Sequence, residues 1–194
     1  TSTPISRRQR QMCIRDRDGV TISNPDHTHA NISKSAMEKG IHVYVQKPLT
    51  HNVKEARMLT ELARKNKIVT QMGNQGSSNP EQKMVQKWIK DGRIGKVSTV
   101  YTWTNRPVWA QGSPMPKPDP SQKPEGMDWD LWIGPAKNNG YTPGLHAFSW
   151  RGYWEYGTGS LGDMGCHIMD VPIKALGIFC LLYTSDAADD LIGV

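Results

Sequence analysis

Short apolar runs alternate with stretches of helical period over the first half of the chain. The run GVTIS at 19–23 reads as a strand, residues 29–40 as a helix closed by Gly40, and IHVYV at 41–45 as the next strand. A second helix follows Asn52, a candidate N-cap with Glu55 three residues on, and carries Val53, Ala56, Leu59, Leu62 and Ala63 on one face. KIVTQM at 67–72 predicts a third strand. Asn79-Pro80 opens a third helix through Asp91, with Met84, Val85, Trp88 and Ile89 as its buried stripe. This alternation predicts three adjacent parallel strands joined by helical crossovers.

Beyond Gly95 the pattern changes. Residues 95–104 alternate as a strand with one covered face should, which places a domain boundary near Gly73 to Asn79. Residues 106–127 hold six prolines and little period, so they predict a long ordered loop. Trp129 and Trp132 then stand three apart as core anchors of a short helix. In GTGSLGDMGCHIMDVPIKALG a 3.6-residue period sets Asp163, His167 and Asp170 along one helical edge.

The two ends fit no such pattern. Residues 1–17 and 179–194 resemble translated sequencing-adapter read-through, and they are expected to pack little against a body at 18–178. The whole chain has 194 residues with 24 Lys and Arg against 18 Asp and Glu. Setting aside five Arg and one Asp in 1–17 and three Asp in 179–194 leaves 19 basic and 14 acidic residues, a body charge of +5. That mild, dispersed excess suits an enzyme with an anionic ligand and argues against nucleic acid as a partner. Cys166 is the one cysteine of the body, which excludes a disulfide framework there. No apolar run approaches the ~20 residues of a membrane span, so no membrane partner is expected.

Three places carry candidate chemistry. Lys47 precedes Pro48 at the end of a predicted strand, where proline holds the residue before it extended; it is either a solvated strand end or a cation aimed at a ligand. Asp163 lies four residues before His167, so it either forms a surface ion pair or orients an imidazole for proton transfer. Gly157, Gly159, Gly162 and Gly165 around this pair argue for a pocket wall. NPDHTHA, at the carboxyl end of the first strand, lies where open parallel sheets bind ligands. There Asp26 can cap the following helix, and His27 and His29 are either capping and packing groups or a metal pair. His42, His51 and His146 add no convincing ligand spacing.

Taken in order, NPDHTHA, QKPLTHNVKEAR, TQMGNQ, IKDGRIGKV, WDLWIGP and GDMGCHIMD resemble the Gfo/Idh/MocA family over residues 18–178. The resemblance implies an α/β fold: the C-terminal half of a Rossmann doubly wound parallel sheet at 18–74, then the truncated start of an α/β domain with an open sheet at 75–178. It implies NAD or NADP as cofactor and a carbohydrate-like small molecule as substrate. Lys47 matches the catalytic lysine, His167 the proton-transferring histidine and Asp163 its acidic partner. Asn24, Pro25, His27, His29, Gln46, Lys47, Pro48 and Asn74 fall at cofactor-binding positions. Gln46 stands where the family usually has glutamate, which removes a charge beside Lys47. No G-x-G-x-x-G follows a strand within 18–74, so the chain alone is expected to be an inactive fragment. The full protein is expected to be a homo-oligomer of the cytoplasm or periplasm. The leading activity is an NAD(P)-dependent oxidoreductase acting on sugars or polyols. The alternatives are an NAD-dependent glycoside hydrolase working through a keto-sugar and a metal-dependent amidohydrolase built on His27, His29 and Lys47.

Overall fold

The computed structural model describes residues 17–178, so the expectation of weak packing at the two ends concerns residues outside the described ones. Strand β1 (Gly19–Ile22), helix α1 (Asp26–Met37), β2 (His42–Gln46), α2 (Val53–Asn66) and β3 (Thr70–Gly73) form the amino-terminal half. The three strands make one sheet in the order β1-β2-β3, and both pairings are parallel, with Ile22 opposite Val45 and Val45 opposite Met72. The parallel α/β arrangement predicted by the alternating runs is therefore present. Its core is apolar: Ile22, Met37, Val43, Val45, Leu59 and Ile68 are buried together, with α1 packed on β1 and β2 and α2 packed on α1.

Local chemistry explains most element boundaries. Helix α2 begins with a capping box in which the Asn52 side chain accepts from the Glu55 N–H at 3.0 Å and Glu55 Oε2 accepts from the Asn52 N–H at 3.2 Å. It ends at Lys67, whose left-handed φ of 53° turns the chain, so the third strand starts at Thr70 rather than at residue 67. Val53, predicted on the buried face of α2, is the first residue of the helix and is 70% exposed. Helix α1 begins at Asp26, three residues earlier than its apolar period indicates, since extended Pro25 already provides its start.

Helix α3 (Pro80–Lys90) has no buried residue; Met84, Val85 and Trp88 of the predicted stripe stay exposed, and the helix packs against α6 (Asp170–Leu176). Residues 95–104 form no strand. Alternation supplies a covered face, but a strand also needs a neighbouring backbone, and none pairs with this segment among the described residues, leaving Tyr101 and Trp103 exposed. Residues 106–127 are irregular apart from a 3-10 turn at Pro120–Gln122. Helix α4 (Trp129–Ile133) anchors a second apolar cluster with Tyr141, Leu145, Trp150, Tyr153 and Tyr156. Trp129 and Trp132 stack with centroids 4.7 Å apart.

The single helical edge proposed for Asp163, His167 and Asp170 is broken in two. Helix α5 (Gly159–Ile168) stops, and α6 restarts at Asp170. Pro172 lacks the N–H that would continue the ladder, and its ring would meet the Ile168 carbonyl four residues back.

Removal of the fully buried Met37 side chain by Met37→Ala should cost about 2–5 kcal/mol in urea unfolding. Asn52→Ala should cost about 1 kcal/mol through the lost cap alone.

Candidate active site

The carboxyl ends of the three parallel strands lie beside one another, and the chain after each carries a candidate residue: Asn24 after β1, Lys47 after β2, Asn74 after β3. Helix α5 docks across this edge. Lys47 Nζ donates to Asp163 Oδ1 at 2.7 Å and also to the Asp163 carbonyl. Both side chains are largely buried, so removing either partner would strand a charge, at a cost of about 3–5 kcal/mol. The proline after Lys47 thus sets a strand-end lysine against a helix 116 residues away in sequence.

Asp163 serves Lys47 rather than His167. No hydrogen bond or ion pair joins it to the imidazole; instead Arg151 Nε approaches the same Oδ1 at 3.8 Å. His167 is bonded elsewhere, with Nδ1 3.1 Å from the Gln75 carbonyl oxygen. A carbonyl only accepts, so Nδ1 carries the proton of the neutral ring and Nε2 keeps its lone pair. Asn74 Nδ2 donates to the Cys166 carbonyl at 2.8 Å, which holds β3's end against the helix that bears His167. Cys166 lies close enough to Lys47 and Asp163 to feel both charges, but burial pushes its thiol above the ordinary range and keeps it protonated.

The histidines of NPDHTHA are both engaged by the chain itself. Both rings are buried, and their nitrogens face backbone carbonyls. His27 Nε2 lies 3.0 Å from the Ile133 oxygen and Nδ1 3.2 Å from that of Tyr156. His29 lies 2.7 Å from the oxygens of both Asn24 and Pro48, tying together the chain that leaves β1 and β2. Neither ring has a nitrogen turned to a ligand, so they shape the site from behind, and the amidohydrolase alternative loses its metal pair. Among the described residues no three His, Cys, Asp or Glu side chains are placed to hold a metal ion.

Asp26 does not cap its own helix. Its carboxylate accepts from the Thr158 N–H at 3.2 Å and from the Thr158 hydroxyl at 2.8 Å, at the start of α5. A negative charge there suits the positive end of that helix. Burial nevertheless raises the Asp26 carboxyl above its usual range, opposed by the Thr158 bonds. This contact was not legible in the sequence, since 132 residues separate the partners. The spacing G-x-G-x-x-G does occur at Gly157–Gly162, but it follows no strand. At that helix start the Thr158 N–H is taken by Asp26 and the Ser160 N–H by Gln111 Oε1, the latter at 2.8 Å. The glycines permit close packing rather than lining a pocket: a Cβ on Gly157 would come within 2.5 Å of Arg151 Cα.

The residues fit the nicotinamide end of a dinucleotide. Asn74 Oδ1 is buried without a hydrogen-bond partner, an acceptor suited to a ligand N–H. Gln46 Oε1 accepts from the Lys47 N–H at 2.9 Å, so the amide meets a need that a carboxylate oxygen would also meet. A separate groove of about 1540 Å3 runs along β1 and α1; Asn24 and Pro25 line it, whereas Lys47, Asp163 and His167 do not.

Comparison with known proteins agrees with this architecture. Residues 9–74 match the oxidoreductase family's NAD-binding Rossmann fold, and residues 78–177 match its C-terminal alpha/beta domain. The chain belongs to the Gfo/Idh/MocA oxidoreductase family. Among curated proteins it is 24% identical to levoglucosan dehydrogenase of Pseudarthrobacter phenanthrenivorans, over 82% of this chain and 33% of that protein. It is 30% identical to scyllo-inositol 2-dehydrogenase (NAD(+)) of Bacillus subtilis, over 41% of this chain and 23% of that protein. The chain therefore spans a third or less of the length of these relatives. A solved inositol dehydrogenase homolog from Azotobacter vinelandii, complexed with NADH and myo-inositol, is 30% identical, covers 41% of this chain and 21% of its own, and superposes with a TM-score of 0.39. No helix among the described residues is long and apolar enough to cross a membrane.

Burial pushes the His27 imidazole below the usual range. The folded state then binds this proton less readily than the unfolded chain, so its stabilising effect is complete above the ordinary value of 6.5 and declines as the pH falls below it. Urea midpoints at about pH 7.5 and about pH 5.5 should differ more for the wild type than for His27→Gln. Equal pH dependence in the two would show that the ring titrates as it does in water.

Proposed function

We propose that the protein is an NAD-dependent oxidoreductase that removes hydride from a secondary alcohol of a sugar or polyol, or returns it in the reverse direction. The observation that carries this reading is the set of bonds already made by Lys47 and His167. The Lys47 ammonium has three N–H donors and gives two to Asp163, leaving one for a substrate oxygen. His167 gives its Nδ1 proton to Gln75, leaving Nε2 to accept the hydroxyl proton. Each side chain is thus oriented by the protein through part of its hydrogen-bonding capacity and keeps one group without a partner among the described residues.

Gln46, Lys47 and Asn74 would hold the nicotinamide end beside the reacting carbon, with Asn24, Pro25 and Pro48 shaping the adjoining strand ends; a bound nicotinamide supplies the hydride acceptor. Asp163 positions Lys47 and balances its charge. As the alcohol carbon loses hydride, its oxygen becomes a carbonyl; Lys47 donates to that oxygen while His167 takes the proton. The match to family models on either side of residues 75–77 supports a division there between a cofactor part and a substrate part. The names of the relatives, dehydrogenases of levoglucosan and scyllo-inositol, support a carbohydrate-like substrate.

In the intact enzyme, Lys47→Ala and His167→Ala should each lower kcat by about two to four decades. NAD affinity, read by fluorescence titration, should stay within about threefold, since Lys47 is one of several groups at the nicotinamide end and His167 is none of them. Turnover near that of the wild type in either variant would overturn the assignment.

A further inference from the structure

We infer that Ser77 is a positioning residue for His167, acting through the turn that joins β3 to α3. This rests on the reading of His167 as the proton acceptor, and the turn's geometry can be tested apart from it. The imidazole is held by a backbone carbonyl, that of Gln75, whose own side chain is exposed. The direction of that carbonyl therefore depends on what fixes the residues on either side.

On one side is Asn74, tied to the Cys166 carbonyl of α5. On the other is Ser77. Its hydroxyl donates to Asp170 Oδ2 at 2.9 Å and accepts from Lys174 Nζ at 2.5 Å, and Lys174 also reaches Asp170 Oδ1 at 2.9 Å. The three groups close a ring in which each has two partners, partly shielded from water, where charge-assisted bonds are strongest. The turn is also bonded within itself, Ser77 N to Asn74 O at 3.1 Å and Asn79 N to Gly76 O at 2.9 Å, so a fixed Ser77 fixes Gln75. Gly76 permits the turn with a φ of 88°. The two helices parted by Pro172 both serve the site: α5 presents His167, while α6 holds the turn that orients it.

Without the Ser77 hydroxyl, Asp170 and Lys174 still pair along α6, but the turn loses its side-chain tie beyond Gln75. The carbonyl then samples other directions, and Nδ1 no longer holds its proton to the exclusion of Nε2.

The test is the tautomer of His167, read from long-range proton–nitrogen NMR correlations of the intact, substrate-free protein at a pH where the ring is neutral. The wild type should show the proton on Nδ1. Ser77→Ala should give a mixture of both tautomers, and Ser77→Thr, which keeps a hydroxyl, should restore the wild-type signal. In turnover, Ser77→Ala should lower kcat about tenfold to a hundredfold with little change in KM. Should Ser77→Ala fail to fold, Asp170→Asn, which weakens the acceptor of the same hydroxyl, must shift the tautomer in the same direction. An unchanged Nδ1–H signal in a folded Ser77→Ala or Asp170→Asn protein would overturn the inference. A shifted tautomer with unaltered kcat would support the positioning and count against His167 as the base.

Discussion

The contact between Lys47 and Asp163 sets the relation between the two halves of the chain. It joins the end of a buried parallel strand to a helix that begins more than a hundred residues later, and it does so with two charges largely out of water. Such a pair tolerates little misalignment, because its attraction must offset the desolvation of both ions. Helix α5 is therefore committed to one place over the carboxyl edge of the sheet. Everything else in the site follows from that placement, including the position of His167 four residues further along α5.

The surrounding hydrogen bonds make the same commitment by independent means. Asp26 holds the first turn of α5, Asn74 holds the Cys166 carbonyl in its last turn, and the Gln75 carbonyl accepts from His167. His27 and His29 supply the layer beneath, engaging the carbonyls of Ile133, Asn24 and Pro48. These partners are backbone oxygens or buried side chains, groups that cost about 1–3 kcal/mol each when left unpaired. An apolar interface would allow the helix to slide over the sheet edge. A polar one with one partner per group does not, and the proposed hydride transfer between two bound molecules would require that fixity.

The glycines of residues 157–165 illustrate how a correct inference about close approach can point to the wrong neighbour. Their spacing and density call for backbone contact without side chains in the way. Gly157 lies against Arg151 and Gly162 against Thr158, so they allow the turn before α5 to fold tightly and bring the Thr158 hydroxyl to Asp26. Arg151, stacked 4.2 Å from the Trp150 ring centroid, approaches the same Asp163 Oδ1 that accepts from Lys47. Packing at the helix start and charge at the site are in this way parts of one arrangement.

Local interactions are legible in the sequence by itself. The capping box at Asn52 and Glu55, the parallel alternation through residues 19–73 and the proline after Lys47 all depend on neighbours within a few positions, where period and stereochemistry decide the outcome. The ordered motifs also brought Lys47, Asp163 and His167 forward as the chemical residues. Their pairing was decided only by tertiary structure. A spacing of four on one helix favours Asp163 with His167, yet the carboxylate turns to Lys47 because α5 lies across the sheet edge, and the imidazole turns to Gln75. The apolar period of α3 and the alternation at 95–104 likewise describe faces ready to be covered; whether a partner surface stands opposite is a property of the whole fold and has no local signature.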